Sequence, residues 1–206
     1  MNLTKIFSEL TTYLDKLDEG REKILPISRS MIRDCSNAIK HIHRKEFNLY
    51  DDKITAIKQT HHKLKEMVNL EPSAFTKYLK TPEQEYAEAI SFYAIINKQE
   101  LPTPGELNID PLNYAFGLAD VIGELRRYAL DNIRNSQLSD LNQILEDMDE
   151  IYTNLFSLDY PSGITQDLRP KTDRARSIIE KTRGDISISL QMNDLKRCIE
   201  KKDSQE

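Results

Sequence analysis

Two pairs of carboxylates stand at helical spacing in largely apolar stretches of this 206-residue chain. Glu85 and Glu88 are three residues apart, and Asp120 and Glu124 are four apart, so each pair shares a face if its segment is helical. Burying a carboxylate is costly without compensation, and four brought together need cations such as Mg²⁺ or Mn²⁺. A divalent ion held in this way can polarise a phosphoryl oxygen, which favours phosphodiester hydrolysis. The alternative is that these acids form ordinary pairs on exposed helix faces.

A set of arginines and lysines indicates a second kind of chemistry, the binding of a polyanion. The set lies within about 60° on a helical wheel, opposite the apolar residues of the same segment, and comprises Arg29, Arg33, Lys40 and Arg44. Such a stripe fits a nucleic-acid backbone, although an ordinary solvated helix face has the same composition. Arg127 follows the second carboxylate motif and can pair either with phosphate or with Glu124.

The composition limits the fold and the setting. Hydrophobic residues make up 38% of the chain and are strongly patterned, which excludes a disordered protein. Only six glycines are present, which disfavours an all-β fold because its many turns use glycine. The net charge of −5 argues against a general nucleic-acid coat but permits a local basic surface. No apolar run approaches the roughly 18 residues of a membrane span, and without a signal-peptide pattern we expect a cytoplasmic protein that makes no membrane contact.

Apolar residues recurring every three or four positions predict seven helical segments with short connections. The approximate ranges are 3–17, 21–44, 51–68, 82–97, 111–135, 139–158 and 170–199, with a short helix before residue 80. Asp18-Glu19-Gly20 is expected to end the first helix, and residues 101–105 to form a rigid loop. Lysines and the His61-His62 pair suggest that the helix over 51–68 is an outer element. The sequence therefore predicts an all-α bundle forming a single domain over residues 1–206.

Several stretches of the sequence resemble the translin family. The specific ones are Gln84–Phe92 and Gly117–Arg127, and the weaker ones are Arg21–Arg29, Lys171-Thr-Asp and Arg183-Gly-Asp. The resemblance covers nearly the whole chain. It implies a seven-helix protein that assembles into a hollow octamer around single-stranded RNA or DNA. The small size and compact loops resemble the homomeric archaeal members, in which one chain both binds and cleaves.

The family has a binding branch, translin, and a catalytic branch, translin-associated factor X, whose acidic residues bind Mg²⁺ and cleave RNA. This sequence resembles the catalytic branch because its acidic positions are filled by Glu85, Glu88, Asp120 and Glu124. The resemblance implies that these four residues are catalytic and bind the metal. The histidine-rich nucleic-acid stretch of translin is not reproduced here, and Lys77 and Lys80 are expected to take over its contacts.

The apolar pattern also predicts self-association. The helices over 82–97 and 111–135 are apolar on more than one face, whereas a lone bundle buries one arc of each outer helix. The surplus is expected to form an exposed patch that includes Phe92, Ile95, Val121 and Tyr128. Burial of this patch against further copies predicts a homo-octamer whose cavity contains the four carboxylates.

Three functions fit these features. The first is a metal-dependent endoribonuclease acting on single-stranded RNA, in which Glu85, Glu88 and Asp120 bind Mg²⁺ or Mn²⁺. Glu124 is then a further ligand or orients the attacking water. The second is a non-catalytic scaffold that binds single-stranded RNA or DNA. The third is a structural helical adaptor, which would show no salt-dependent RNA binding.

Overall fold

The computed structural model describes residues 2–203 and contains no strand within that range, so the predicted all-α class is confirmed. Its helices, in chain order, are α1 (Leu3–His43), α2 (Phe47–Val68), α3 (Pro72–Phe75), α4 (Lys80–Ile96), α5 (Pro104–Leu107), α6 (Pro111–Arg134), α7 (Leu141–Phe156), α8 (Ser162–Thr165) and α9 (Leu168–Asp203). Six are long, and α3, α5 and α8 are single turns. A 3₁₀ turn over Thr76–Tyr78 follows α3.

The first two predicted helices form one helix, so the predicted break at Asp18-Glu19-Gly20 is wrong. α1 passes through this tripeptide and carries Pro26 in its interior. At Gly20 the missing side chain leaves room for Phe75, because a Cβ there would lie 2.6 Å from the ring Cζ. Glycine costs a helix about 1 kcal/mol relative to alanine, and here it lets the Phe75 ring approach α1 closely. The seven predicted segments therefore correspond to six long helices among the described residues.

The segment predicted as a rigid loop over residues 101–105 leads into a helical turn, α5, that begins at Pro104. Thr103 caps α5: its Oγ1 accepts a hydrogen bond from the Glu106 N–H at 3.2 Å, and Glu106 Oε2 accepts one from the Thr103 N–H at 2.7 Å. This reciprocal capping box satisfies two backbone donors that a single helical turn would otherwise leave open. The next helix upstream, α4, begins at Lys80 rather than Pro82.

Contacts divide the chain into two compact units. The first runs to Tyr93 and includes Leu101–Tyr114; in it, α1 packs along α2. The second contains Ala94–Glu100 and resumes at Ala115; in it, α7 packs along α9. The single domain over residues 1–206 stays a prediction, as does the cytoplasmic location. No helix among the described residues is both long and apolar enough to cross a membrane.

The apolar patch expected on α4 and α6 is absent from the surface, so this part of the prediction is wrong. Phe92 and Val121 are fully buried, and Ile95 and Tyr128 are partly buried. Neighbouring side chains cover the wide apolar arcs: the ring centroid of Phe92, for example, lies 5.0 Å from that of His43. Large apolar side chains are exposed elsewhere, at the beginning of α1 and at the end of α9.

A buried polar cluster in the first unit fixes the beginning of α4. Glu83 is 1% exposed, and its carboxylate accepts hydrogen bonds from the Asp110 N–H at 3.0 Å and from Asn113 Nδ2 at 2.8 Å. His61 Nε2 lies 3.0 Å from the other carboxylate oxygen. Burial opposes ionisation, but these hydrogen bonds together lower the pKa of Glu83 below its ordinary value. Of the two histidines that suggested an outer helix over 51–68, only His62 is exposed, since His61 is 4% exposed.

Replacing Glu83 should be strongly destabilising. Glu83→Ala leaves buried donors without an acceptor, and we expect a loss of about 3 kcal/mol in the free energy of unfolding at pH 7. The matched control is Glu66→Ala, which removes the exposed pair with His62 and should cost about 1 kcal/mol or less. Urea denaturation measures both. Equal effects of the two variants would contradict the role of Glu83.

A comparison of the wild type with Glu83→Ala at different pH values tests the pKa of Glu83. Because folding lowers this pKa, the ionised carboxylate stabilises the fold above the unfolded-state pKa of about 4.3. That contribution is lost as the pH falls from there through the lower folded-state pKa. The stability difference between wild type and Glu83→Ala should therefore shrink below about pH 4. A difference that grows on acidification would contradict this account.

Candidate metal and nucleic-acid site

Helix α4 positions the first carboxylate pair in the first unit. Glu88 is 8% exposed and Glu85 is partly buried. Burial raises the pKa of the Cys35 thiol, and the charges of Glu85, Asp34 and Glu88 raise it further. The buried thiol therefore stays protonated and unreactive. Asp34 has its own cation, because Lys53 Nζ donates to its Oδ1 at 2.8 Å.

Helix α6 positions the second pair, Asp120 and Glu124, both partly buried in the second unit. Lys171 of α9 donates from Nζ to Asp120 Oδ2 at 2.5 Å, and the same ammonium lies 5.5 Å from the ring centroid of Phe116. An Arg127 guanidinium nitrogen lies 3.6 Å from Glu124 Oε2. Both acids thus have a protein cation nearby, which offsets part of the cost of removing them from water.

The donor chemistry of these acids fits a hard divalent cation, since carboxylate oxygens are the ligands that Mg²⁺ prefers. The positions of these side chains, however, do not form a complete metal site among the described residues. Over residues 2–203, no group of three or more histidine, cysteine, aspartate or glutamate side chains is placed to hold a metal ion. What the structure presents is one carboxylate pair in each unit. The role of these four residues as metal ligands stays a prediction.

Most of the basic residues predicted to contact nucleic acid lie at exposed positions. Four of them form one solvent-facing stripe along α1 and its C-cap residue: Arg29, Arg33, Lys40 and the C-cap Arg44. Lys77 is exposed in the 3₁₀ turn with its Nζ 5.3 Å from the ring centroid of Tyr78, and Lys80 is partly buried where α4 begins. The stripe faces away from the buried residues of α1, as its position on the helical wheel predicted. Its contact with nucleic acid stays a prediction.

Two adjacent arginines of α6 have different surroundings. Arg126 donates to Thr182 Oγ1 at 3.0 Å and lies 2.9 Å from Asp185 Oδ2. Arg127 is the more exposed of the two, with 54% of its side chain accessible. Thr182 precedes the short Arg-Gly-Asp match and Asp185 ends it, and Arg183 within it donates to both carboxylate oxygens of Asp149, at 3.0 and 2.9 Å. This stretch therefore joins α9 to α6 and α7.

Sequence reasoning missed three side chains that the structure places in polar contacts: Lys171, His61 and Glu83. Lys171 stood in a weak family match, and only its contact with Asp120 reveals what it does. His61 could have been placed in the core, because it shares the i, i+4, i+7 face of Ile57 and Leu64. Glu83 could not, since its partners Asp110 and Asn113 are 27 and 30 residues away in sequence.

Comparisons with known proteins point to one family. The sequence model of the Translin family matches residues 19–183. An uncharacterised protein of Methanocaldococcus jannaschii is 39% identical over 184 residues, which cover 88% of this chain and 82% of that protein. The translin-associated protein X homolog of Schizosaccharomyces pombe is 22% identical over 196 residues, covering 86% of this chain and 84% of its own.

Solved structures share the fold. AfC3PO in complex with duplex RNA superposes with a TM-score of 0.82 at 27% identity, covering 90% of this chain and 97% of that one. Apo-NeC3PO gives a TM-score of 0.80 at 23% identity, covering 89% of this chain and 96% of its own. At 23% identity, the similarity to apo-NeC3PO shows only that the fold is shared.

The two arginines of α6 should differ in their effect on stability. Arg126→Ala removes the partner of Thr182 and Asp185, and we expect it to lower the free energy of unfolding by about 2 kcal/mol. Arg127→Ala removes an exposed i,i+3 pair and should change it by less than about 1 kcal/mol. Chemical denaturation of the two variants measures both changes in the free energy of unfolding. An Arg127→Ala variant as unstable as Arg126→Ala would contradict the assignment.

Proposed function

The chain belongs to the translin family, and we propose that it binds RNA and cleaves it as a metal-dependent endoribonuclease. The observation that carries RNA binding is the similarity to AfC3PO, whose solved complex contains duplex RNA. The exposed basic stripe of α1 would supply sequence-independent contacts to phosphates. Single-stranded RNA is the proposed substrate, and single-stranded DNA is a further proposed ligand. Duplex RNA is the competing substrate that the AfC3PO complex favours.

Cleavage is assigned to the two carboxylate pairs, which are the proposed ligands of Mg²⁺ or Mn²⁺: Glu85, Glu88, Asp120 and Glu124. Such an ion, when bound, polarises a phosphoryl oxygen and lowers the pKa of a bound water. The proposal is supported by the position of Glu88, which is buried although desolvating a carboxylate is costly. Lys171 would hold Asp120 in one orientation and offset its charge.

The proposed working form is a homo-octamer that encloses the carboxylates. Self-association is supported by the large apolar side chains exposed on α1 and α9, because soluble monomers rarely leave such stripes uncovered. Enclosure would limit cleavage to strands that can enter the cavity. A particle near the 23.9 kDa of one chain in light scattering at micromolar concentration would contradict this assembly.

A non-catalytic scaffold for single-stranded RNA or DNA is the second candidate. The observation in its favour is the ion pair between Lys171 and Asp120. The protein's own ammonium already balances this acid, so no metal is needed to explain why the carboxylate is tolerated. The scaffold predicts that RNA is retained but stays intact with every divalent ion.

Substitution of the acids separates cleavage from binding. Glu88→Gln and Asp120→Asn should each reduce Mg²⁺-dependent RNA cleavage by about 100-fold or more, because each removes a charge proposed to act on the reacting phosphate. RNA affinity measured in EDTA should remain. The control is Glu150→Gln, an exposed acid of α7. Cleavage at the wild-type rate by either site variant would overturn the assignment.

The basic stripe makes a separate prediction about salt. Arg33→Ala should weaken single-stranded RNA binding and make the slope of log K against log salt shallower by about 0.7, the value for one lost phosphate contact. Lys63→Ala, an exposed change on α2, is the control and should leave the slope unaltered. Fluorescence anisotropy across a salt series measures both. Identical slopes for wild type and Arg33→Ala would exclude this residue from the interface.

A further inference from the structure

One seam with alternating steps of three and four residues runs the length of α1. Its inner part is buried and comprises Ile24, Ser28, Met31, Cys35, Ala38 and Ile42. Its outer part continues on the same face of the helix and comprises Leu3, Phe7, Leu10, Leu14 and Leu17. Leu17 is partly exposed, and the other four are exposed. The apolar stripe that is buried in the second half of α1 thus continues along the first half, where it is exposed.

The uncovered part begins where the packing within the first unit ends. Phe75 packs against α1 at Gly20, and every residue of 3–16 is exposed. At this boundary an open cleft of about 690 Å³ lies between Leu14 and Leu17 of α1 and the rings of Phe75 and Tyr78. We call residues 3–19 the α1 arm. Because most of the stability of a helix in a protein comes from packing of its apolar face, a covering partner would stabilise this part of α1.

Helix α9 has a comparable extension in the second unit. After Ile186, which is buried, no residue up to position 202 is buried. Along this stretch the exposed apolar side chains follow heptad-like steps of four, three and four: Ile188, Met192, Leu195 and Ile199. We call residues 187–202 the α9 arm. At a rise of 1.5 Å per residue, the apolar stripe of the α1 arm is about 21 Å long and that of the α9 arm about 17 Å.

The two arms carry opposite charge. The α1 arm has four acidic and two basic residues, and the α9 arm has four basic and two acidic residues. Pairing of like arms would bring like net charges together, whereas pairing of unlike arms combines two apolar stripes with opposite charges. Charge complementarity therefore favours a second copy of this chain as the partner, rather than an unrelated protein.

We propose that the α1 arm of one copy packs along the α9 arm of another copy as a helical pair. The two surfaces differ, so the contact is head-to-tail and leaves one free arm of each kind for the next copy. Repetition of this contact closes into a ring or extends into a filament. This pairing of arms rests on the self-association proposed above and names the surfaces that would mediate it. The pairing does not depend on RNA cleavage.

Charge reversal tests this pairing. One variant combines Glu9→Lys, Asp15→Lys and Glu19→Lys in the α1 arm, and a second combines Lys196→Glu, Arg197→Glu and Lys201→Glu in the α9 arm. Each should raise the Kd of assembly at least tenfold in sedimentation velocity at low salt, because the arms then repel. The chain carrying all six changes should recover the wild-type mass. Weakening by each set without recovery in the combined chain would overturn the pairing of unlike arms.

A second measurement uses the exposed thiol of Cys198 in the α9 arm. Tyr13→Cys places a partner thiol beside the stripe of the α1 arm, and mild oxidation should then yield covalently linked chains. The control, Lys16→Cys, lies away from the stripe and should yield few. Linkage through both positions alike, or through neither, would contradict the proposal. RNA cleavage that persists while linkage fails would leave the proposed function standing and reject the arms alone.

Discussion

The carboxylates of Glu83, Glu88 and Asp120 lie in helices whose other residues are largely apolar, and the cost of removing them from water constrains much of this fold. Such a transfer costs several kcal/mol per ion even after the protein relaxes. For Glu83 it is offset by three hydrogen-bonding partners drawn from α2 and from the segment that begins α6. At Asp120 it is offset by an ammonium from α9. The long helices are thus joined by polar contacts as well as by apolar packing.

Because buried charges need partners, some polar side chains are used to hold the fold, whereas others remain exposed and available to ligands. Arg126 is hydrogen-bonded to Thr182 and ion-paired with Asp185, whereas the side chain of its neighbour Arg127 is exposed to solvent. His61 is committed to Glu83, whereas His62 makes only an exposed pair. Adjacent residues of one type therefore differ in what their loss would do, and this makes them suitable matched controls. The basic stripe of α1 belongs to the available group.

Much of the helical framework follows from apolar periodicity, because that signal is local. The break at Gly20 was mispredicted because the ring of Phe75, 55 positions later, uses the space that glycine leaves. The exposed patch was expected around Phe92 and Val121 because the sequence does not reveal how many neighbours an α-helix has. Carboxylate spacing identified the acids of α4 and α6, but their protein partners, such as Lys171 for Asp120, depend on the tertiary fold.

The most direct test of the proposed function is the fate of a labelled single-stranded RNA incubated with the wild-type protein in Mg²⁺ and, in parallel, in EDTA. The account predicts cleavage in Mg²⁺ and intact, bound RNA in EDTA, because binding relies on the basic surface and cleavage on a metal held by carboxylates. RNA that binds equally in both conditions and stays intact with Mg²⁺ and with Mn²⁺ would contradict the account and leave a binding scaffold.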